Sequence, residues 1–290
     1  MEIGVYWGCM ILTSQYAYEM SLREVLPKFD ISIIDIDQVS CCGTPIKNVN
    51  QKAAIYLAVR NLALAEKIGI DELLVPCNGC YLSFSEALHY WKKDDTLKRE
   101  LGSLLAEEGL EFNGNIKLWH TVDFLHDKIG VEKIKAAVKK SLNSLKFVTH
   151  PGCHILRPST IVNVDDPEKP RKLDNLLKAL GAESIDYPEK LDCCGGGLLL
   201  SHSESALTIA GLKLKAIKSL NVDGLVVSCP SCKIMLGAKQ EAVGAIVGEK
   251  FGIPVLYYTQ LLGLALGIEE EKLGLHLNQS PVDKIIEKLT

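Results

Sequence analysis

Residues 191–197 read LDCCGGG, and residues 39–45 read VSCCGTP. A cysteine pair followed by glycine, built twice in one chain, suggests that the chain itself is built twice. The remaining cysteines bear this out. They fall at Cys9, Cys41, Cys42, Cys77 and Cys80, then at Cys153, Cys193, Cys194, Cys229 and Cys232, so each half carries a single cysteine, a CC pair and a C-x-x-C pair. Cys42 and Cys77 are separated by 34 residues, as are Cys194 and Cys229. Cys9 and Cys41 are separated by 31 residues and Cys153 and Cys193 by 39, a difference that one eight-residue insertion within PSTIVNVDDPEKP (158–170) explains. The flanks repeat too, GIDELLVPCNGCYLSF answering NVDGLVVSCPSCKIML. Self-similarity at this long period indicates two copies of a domain, not a solenoid of short repeats.

Both copies alternate strand and helix in the same order. EIGVYWG (2–8) and ISIIDI (31–36) are short apolar runs that lead to Cys9 and Cys41, with a helix expected over 14–27 between them. A long helix follows, ending at Gly69, and LLVP (73–76) then runs into Cys77 with a helix starting near Cys80. In the second copy the strands are FVTH before Cys153, ESIDY before Cys193 and GLVVS before Cys229, with helices near 170–180, 203–219 and 232–249. The expected fold is α/β: two pseudo-symmetric Rossmann-like domains, 1–143 and 144–290, with mainly parallel sheets and the cysteines at the C-terminal ends of the strands. In such sheets the functional crevice lies beyond those ends.

The chain has 290 residues, a length that gives each of two domains its own core. Its net charge of −4 and 6% aromatic content give no reason to expect nucleic acid. The first residues, MEIGVYWGCM, lack the basic start and long apolar core of a signal peptide, so the expected location is the cytoplasm, with no direct membrane insertion. The uncharged stretch 251–268 is of borderline length for a span, but Pro254, Gln260 and three glycines interrupt it, and a buried strand followed by a helix is expected instead. Ten cysteines in a reducing compartment point to metal ligation or redox chemistry rather than disulfides.

A tetrahedral zinc and a cubane iron–sulfur cluster both take four thiolates, which leaves one cysteine over in each half. From the residues alone, three readings stand: an iron–sulfur centre, zinc with a spare thiol, and thiol–disulfide exchange at the C-x-x-C pairs. The chain has no ferredoxin-type cysteine run and no dinucleotide fingerprint, since Gly195-Gly196-Gly197 is followed by three leucines. An electron-donating partner is therefore needed.

The arrangement Cys9, Cys41-Cys42-Gly43, Cys77-Asn78-Gly79-Cys80, repeated as Cys153, Cys193-Cys194-Gly195, Cys229-Pro230-Ser231-Cys232, resembles the duplicated cysteine-rich CCG domain, and most closely the B subunits of heterodisulfide reductase. The resemblance spans nearly the whole chain; related subunits occur in thiol:fumarate reductase, lactate-utilisation and glycerol-phosphate dehydrogenase systems. It implies a non-cubane [4Fe-4S] cluster in each half, with one cysteine bridging two irons. It also implies an oxidoreductase of methanogenesis that reduces the mixed disulfide of coenzyme M and coenzyme B to the two thiols. The implied setting is a soluble electron-bifurcating complex. Its partners would be an iron–sulfur C subunit, a flavin-containing A subunit, and a hydrogenase or formate dehydrogenase. The competing expectation is a non-catalytic electron-transfer subunit of another CCG-domain complex.

Beyond the ligands, His154 is the expected proton donor for the nascent thiolates, with His150 a weaker candidate. Both coenzymes are anionic, so Arg157, Lys47, Lys233 and Lys213, all near cysteine motifs, are the expected substrate contacts. His120 and Tyr258 occupy matching places before a Thr and a helix and are expected to pack in the core or against the clusters.

Overall fold

The computed structural model describes residues 1–289. The first copy runs β1 (Glu2–Val5), α1 (Gly8–Thr13), α2 (Tyr16–Val25), β2 (Ser32–Asp35), α3 (Gln51–Lys67), β3 (Glu72–Leu74), α4 (Asn78–Lys93), α5 (Asp95–Glu107), β4 (Lys117–Trp119), α6 (Thr121–Asp123) and α7 (Val131–Ala137). The second runs β5 (Lys146–His150), α8 (Lys172–Ala179), β6 (Glu183–Ser184), α9 (Ser203–Ser219), β7 (Gly224–Val227), α10 (Pro230–Lys233), α11 (Gln240–Val247), β8 (Val255–Tyr257), α12 (Tyr258–Ala265) and α13 (Asp283–Glu287).

Each copy forms a four-stranded, all-parallel sheet, in the order β2-β1-β3-β4 and β6-β5-β7-β8. All four residues of β7 are buried, as expected of a central parallel strand covered on both faces. α3 and α9 are both 17 residues long and sit at the same place in the repeat; the side chain of Asn50 caps α3 by accepting from Ala53 N at 3.0 Å. The uncharged stretch near the C-terminus is β8 and α12, and no helix among the described residues is long and apolar enough to cross a membrane.

The copies exchange helices. α2 of the first packs on α12 of the second, and α8 of the second packs on α6 of the first in return. The expected insertion lies in the loop before α8, where the Asp165 carboxylate accepts from Arg171 N and Lys172 N and the Asp166 carboxylate from Glu168 N and Lys169 N.

Two elements differ from expectation. The helix expected over 14–27 is α2 followed by a tight turn at Leu26–Phe29, because Pro27 cannot supply the next N–H. The helix expected over 232–249 is broken into α10, a widened turn at Ile234–Ala238, and α11. There the Gln240 amide ties Leu236 O and Ile253 O to the helix start, a tertiary bond that outweighs helical continuity.

Candidate redox site

Every cysteine lies past the C-terminal end of a strand. β1 leads to Cys9, β2 to Cys41-Cys42, and β3 to Cys77; β5 leads to Cys153, β6 to Cys193-Cys194, and β7 to Cys229. The topology links nine sequence-distant sulfurs in one row and sets Cys9 beside it. Thiol contacts run Cys41–Cys42–Cys80–Cys77 in the first copy and Cys153–Cys193–Cys194–Cys232–Cys229 in the second. Cys77 and Cys229 meet across the junction and join the two sets. Six of the cysteines are buried in the middle of the row, Cys41 and Cys153 at its ends are half-buried, and Cys193 and Cys9, whose charge acts on Cys41, are exposed. None of the ten forms a disulfide.

The local backbone accounts for the CCG motif. Gly43 and Gly195 sit in the left-handed region, at φ 87° and 83°, and a Cβ on either would come within 2.4 Å of the Ala54 or Ala206 carbonyl oxygen in the first turn of the following helix. Only glycine permits both the conformation and the approach. The loop is then fixed by side chains. Ser83 Oγ donates to Cys42 O at 2.6 Å, Thr44 Oγ1 donates to Gly79 O at 3.1 Å and lies 3.2 Å from Cys42 Sγ, and Asn61 binds both Ser40 and Cys41 carbonyls at 3.2 Å. In the second copy the backbone itself reaches the sulfurs, Gly195 N donating to Cys193 Sγ at 3.3 Å. Cys77 and Cys229 are the N-cap residues of α4 and α10, where unpaired N–H groups and the helix dipole favour negative charge.

These thiols compete for protons. Donation from Cys41 and Cys80 pushes Cys42 down to about 3, and donation from Cys153 and Cys194 pushes Cys193 down to about 2. Cys41, Cys80, Cys153 and Cys232 move up in response, because burial and neighbouring thiolates oppose a further charge. Five thiols this close ionise together only when cations join them. That donor set, soft and in excess of one tetrahedral ion, fits a polynuclear iron–sulfur centre in each half. Cys194 Sγ and Cys232 Sγ, 3.5 Å apart, also lie within 4.8 Å of a ring nitrogen of His150.

His154 is half-buried and reaches across the junction, its Nδ1 lying over Gly79 between Cys77 and Cys80. Arg157 is exposed and donates to Pro167 O at 3.1 Å. Lys47 is partly exposed and ion-paired with Glu86 at 2.5 Å. Lys213 and Lys233 depart from the expectation of surface cations. Both are buried with their ammonium groups spent on protein acceptors, Lys213 on Glu189 O and Lys190 O and Lys233 on Val255 O, which keeps them from a solvent-borne anion. His120 and Tyr258 are core residues: His120 Nδ1 caps α6 by accepting from Val122 N, and Tyr258 OH donates to Leu176 O at 3.0 Å.

Sequence reasoning does not mark Asn61 or Tyr6 as supports of the cysteine loops, and it names His150 only as a weaker proton-donor candidate. The signal is present in the repeat: α3 and α9 superpose residue for residue, which puts Asn61 opposite Lys213, and Tyr6 stands three residues before Cys9 as His150 does before Cys153.

The cysteine-rich CCG domain model matches residues 3–85 and again 147–237. The chain is 36% identical to the B subunit of the Ferredoxin/F(420)H(2)-dependent CoB-CoM heterodisulfide reductase of Methanosarcina acetivorans, over 96% of this chain and 93% of that one. It is 36% identical to the B subunit of the ferredoxin:CoB-CoM heterodisulfide reductase of Methanosarcina mazei with the same coverage. It is 30% identical to the 8-methylmenaquinol:fumarate reductase membrane anchor subunit of Wolinella succinogenes, over 98% of this chain and 99% of that one. Among solved structures, a hypothetical protein from Helicobacter pylori shares the fold, with a TM-score of 0.78 at 15% identity over 97% of this chain and 52% of its own. With its two matched copies and its full-length relatives, the chain belongs to the family of duplicated cysteine-rich CCG-domain proteins that includes the B subunits of heterodisulfide reductase.

Proposed function

We propose that this chain is the catalytic subunit that reduces the coenzyme M–coenzyme B heterodisulfide to its two thiols, acting in the cytoplasm with an iron–sulfur C subunit, a flavin-containing A subunit and a hydrogenase or formate dehydrogenase. The observation that carries the reading is the row of sulfurs, closed at its centre by Cys77 and Cys229 and open towards its ends, where Cys41 and Cys153 are half-buried and Cys193 is exposed. Cys9, Cys41, Cys42, Cys77 and Cys80 would hold one non-cubane [4Fe-4S] cluster, and Cys153, Cys193, Cys194, Cys229 and Cys232 the other. Once bound, the clusters supply the two electrons that the disulfide consumes.

The protein's own residues do the rest. Breaking the S–S bond takes two electrons and two protons and releases two thiols. His154, whose Nδ1 lies over Gly79 in the Cys77–Cys80 loop, would give a proton to a departing sulfur. Arg157 and Lys47 are the cations left to meet the anionic groups of the coenzymes, Arg157 the more accessible of the two. The buried centre of the row keeps water from its inner sulfurs.

A second reading, an electron-transfer subunit for a quinol-linked complex, draws on the likeness to the Wolinella succinogenes protein, whose name makes it a membrane anchor subunit. One assay separates the two. Anaerobically purified complex, given a reduced donor, is expected to release two thiols per heterodisulfide, and Arg157→Met is expected to raise KM by roughly ten- to a hundredfold with little change in kcat, the worth of a charge-assisted hydrogen bond of about 1.5–3 kcal/mol. Complex that passes electrons to a quinone and leaves the heterodisulfide intact would favour the second reading.

A further inference from the structure

The repeat places different chemistry beside its two sets of cysteines. In the first copy the CC loop is held by Asn61 from α3, and the strand before Cys9 contributes Tyr6, whose OH donates to Ser40 O at 2.7 Å. In the second copy the same two places hold Lys213 from α9 and His150 from β5. Lys213 is 1% exposed and His150 2%.

Lys213 and His150 meet at the carbonyl of Lys190, in the turn before Cys193. An ammonium has three N–H donors and no acceptor. Those of Lys213 face Glu189 O, Lys190 O at 3.3 Å and His150 Nδ1 at 3.3 Å. His150 Nδ1 also lies 3.3 Å from Lys190 O, and its Nε2 is buried without a partner in the protein. The ring is next to Cys194 and Cys232. Burial lowers Lys213 to about 8, which leaves it charged at neutral pH. The nearest opposing charge is Asp192, exposed and screened by water.

The asymmetry extends beyond this pair. Among the described residues, every buried lysine (Lys190, Lys213 and Lys233) lies in the second copy, whereas the buried charged groups of the first copy are the acids Glu86 and Asp123. Lys190 is neutralised by Asp174 at 2.5 Å and Lys233 turns to Val255 O, which leaves Lys213 as the buried cation bound to the turn before Cys193.

We propose that Lys213 makes the two sites unequal, so that the centre held by Cys153, Cys193, Cys194, Cys229 and Cys232 is reduced at a higher potential than its counterpart. Adding an electron adds negative charge, which a buried ammonium stabilises and a neutral asparagine does not. Lys213 is thus a fixed buried charge, and electrons settle preferentially in the second copy. The inference rests on the iron–sulfur reading above.

The test is a redox titration of the anaerobically purified full chain, followed by electron paramagnetic resonance, with iron and acid-labile sulfide measured on each sample. The parental protein is expected to show two reduction steps. Lys213→Gln, which keeps an N–H donor but loses the charge, is expected to shift the higher step by at least tenfold in its equilibrium, ~59 mV for one electron, and to leave the lower step in place. Lys213→Arg should retain both steps. A single step in the parental protein would overturn the proposal without recourse to any variant. So would parental potentials in a Lys213→Gln protein that holds its full iron and sulfide. A parental preparation with neither iron nor sulfide would instead overturn the iron–sulfur reading, and this inference with it.

Discussion

The rings of Tyr18 and Tyr257 are stacked across the junction of the two copies, centroids 4.1 Å apart and 15° from parallel. Both hydroxyls are satisfied in the opposite copy, Tyr18 OH donating to Ser228 O at 3.1 Å and Tyr257 OH to Gln15 Oε1 at 2.9 Å. Ser228 immediately precedes Cys229, so the pair connects the packing of the halves to the centre of the sulfur row.

That relationship gives a stability prediction. Tyr257→Phe keeps the stack but strands the Gln15 acceptor, at a cost of about 1–3 kcal/mol. Tyr257→Ala removes the ring and is expected to cost about 3–5 kcal/mol. Denaturant unfolding measures both. Equal losses for the two variants would mean that the stacked ring contributes nothing beyond its hydrogen bond.

The glycine after each cysteine pair should control its own site and not the other. Gly195→Ala forces a Cβ onto the Ala206 carbonyl at a left-handed position, where an L-residue alone costs about 1–2 kcal/mol. The loop carrying Cys193 and Cys194 must shift, and iron content is expected to fall to roughly half, the share of one of two equal sites. Gly43→Ala should do the same to the first copy. Full iron in either variant, measured after anaerobic purification, would contradict this role.

Asp123 gives the pH dependence a definite sign. Burial raises its carboxyl to about 7, while its Oδ1 accepts from His120 N at 2.8 Å. The folded state therefore holds a proton that the unfolded chain releases near pH ~3.9. Stability from this group is complete below that value, falls as pH rises towards 7, and is flat above. Asp123→Asn keeps the acceptor without the charge. Its gain over the parent should be larger at pH 8 than at pH 5 in thermal unfolding; an equal gain at both would show that Asp123 ionises freely in the folded protein.

Much of the site was legible because cysteine spacing is a strong constraint and the chain states it twice. The agreement of Cys42–Cys77 with Cys194–Cys229 marks the repeat, and the alternating strands and helices of each copy mark parallel sheets with cysteines at the strand ends, whereas the strand order emerges only in the fold. Which way a side chain points was less accessible. Lys213 and Lys233 stand near cysteine motifs and read as surface charges, but helical phase turns Lys213 inward and the widened turn at Ile234–Ala238 draws Lys233 towards β8. The meeting of Cys77 with Cys229 depends on how two domains dock, which no local pattern encodes.

The central claim is that each set of five thiols holds a four-iron cluster. Anaerobic purification followed by iron and acid-labile sulfide analysis tests it most directly. Two such clusters predict about eight of each per chain, in a coloured protein. A colourless protein with stoichiometric zinc at both sites and no labile sulfide would contradict it.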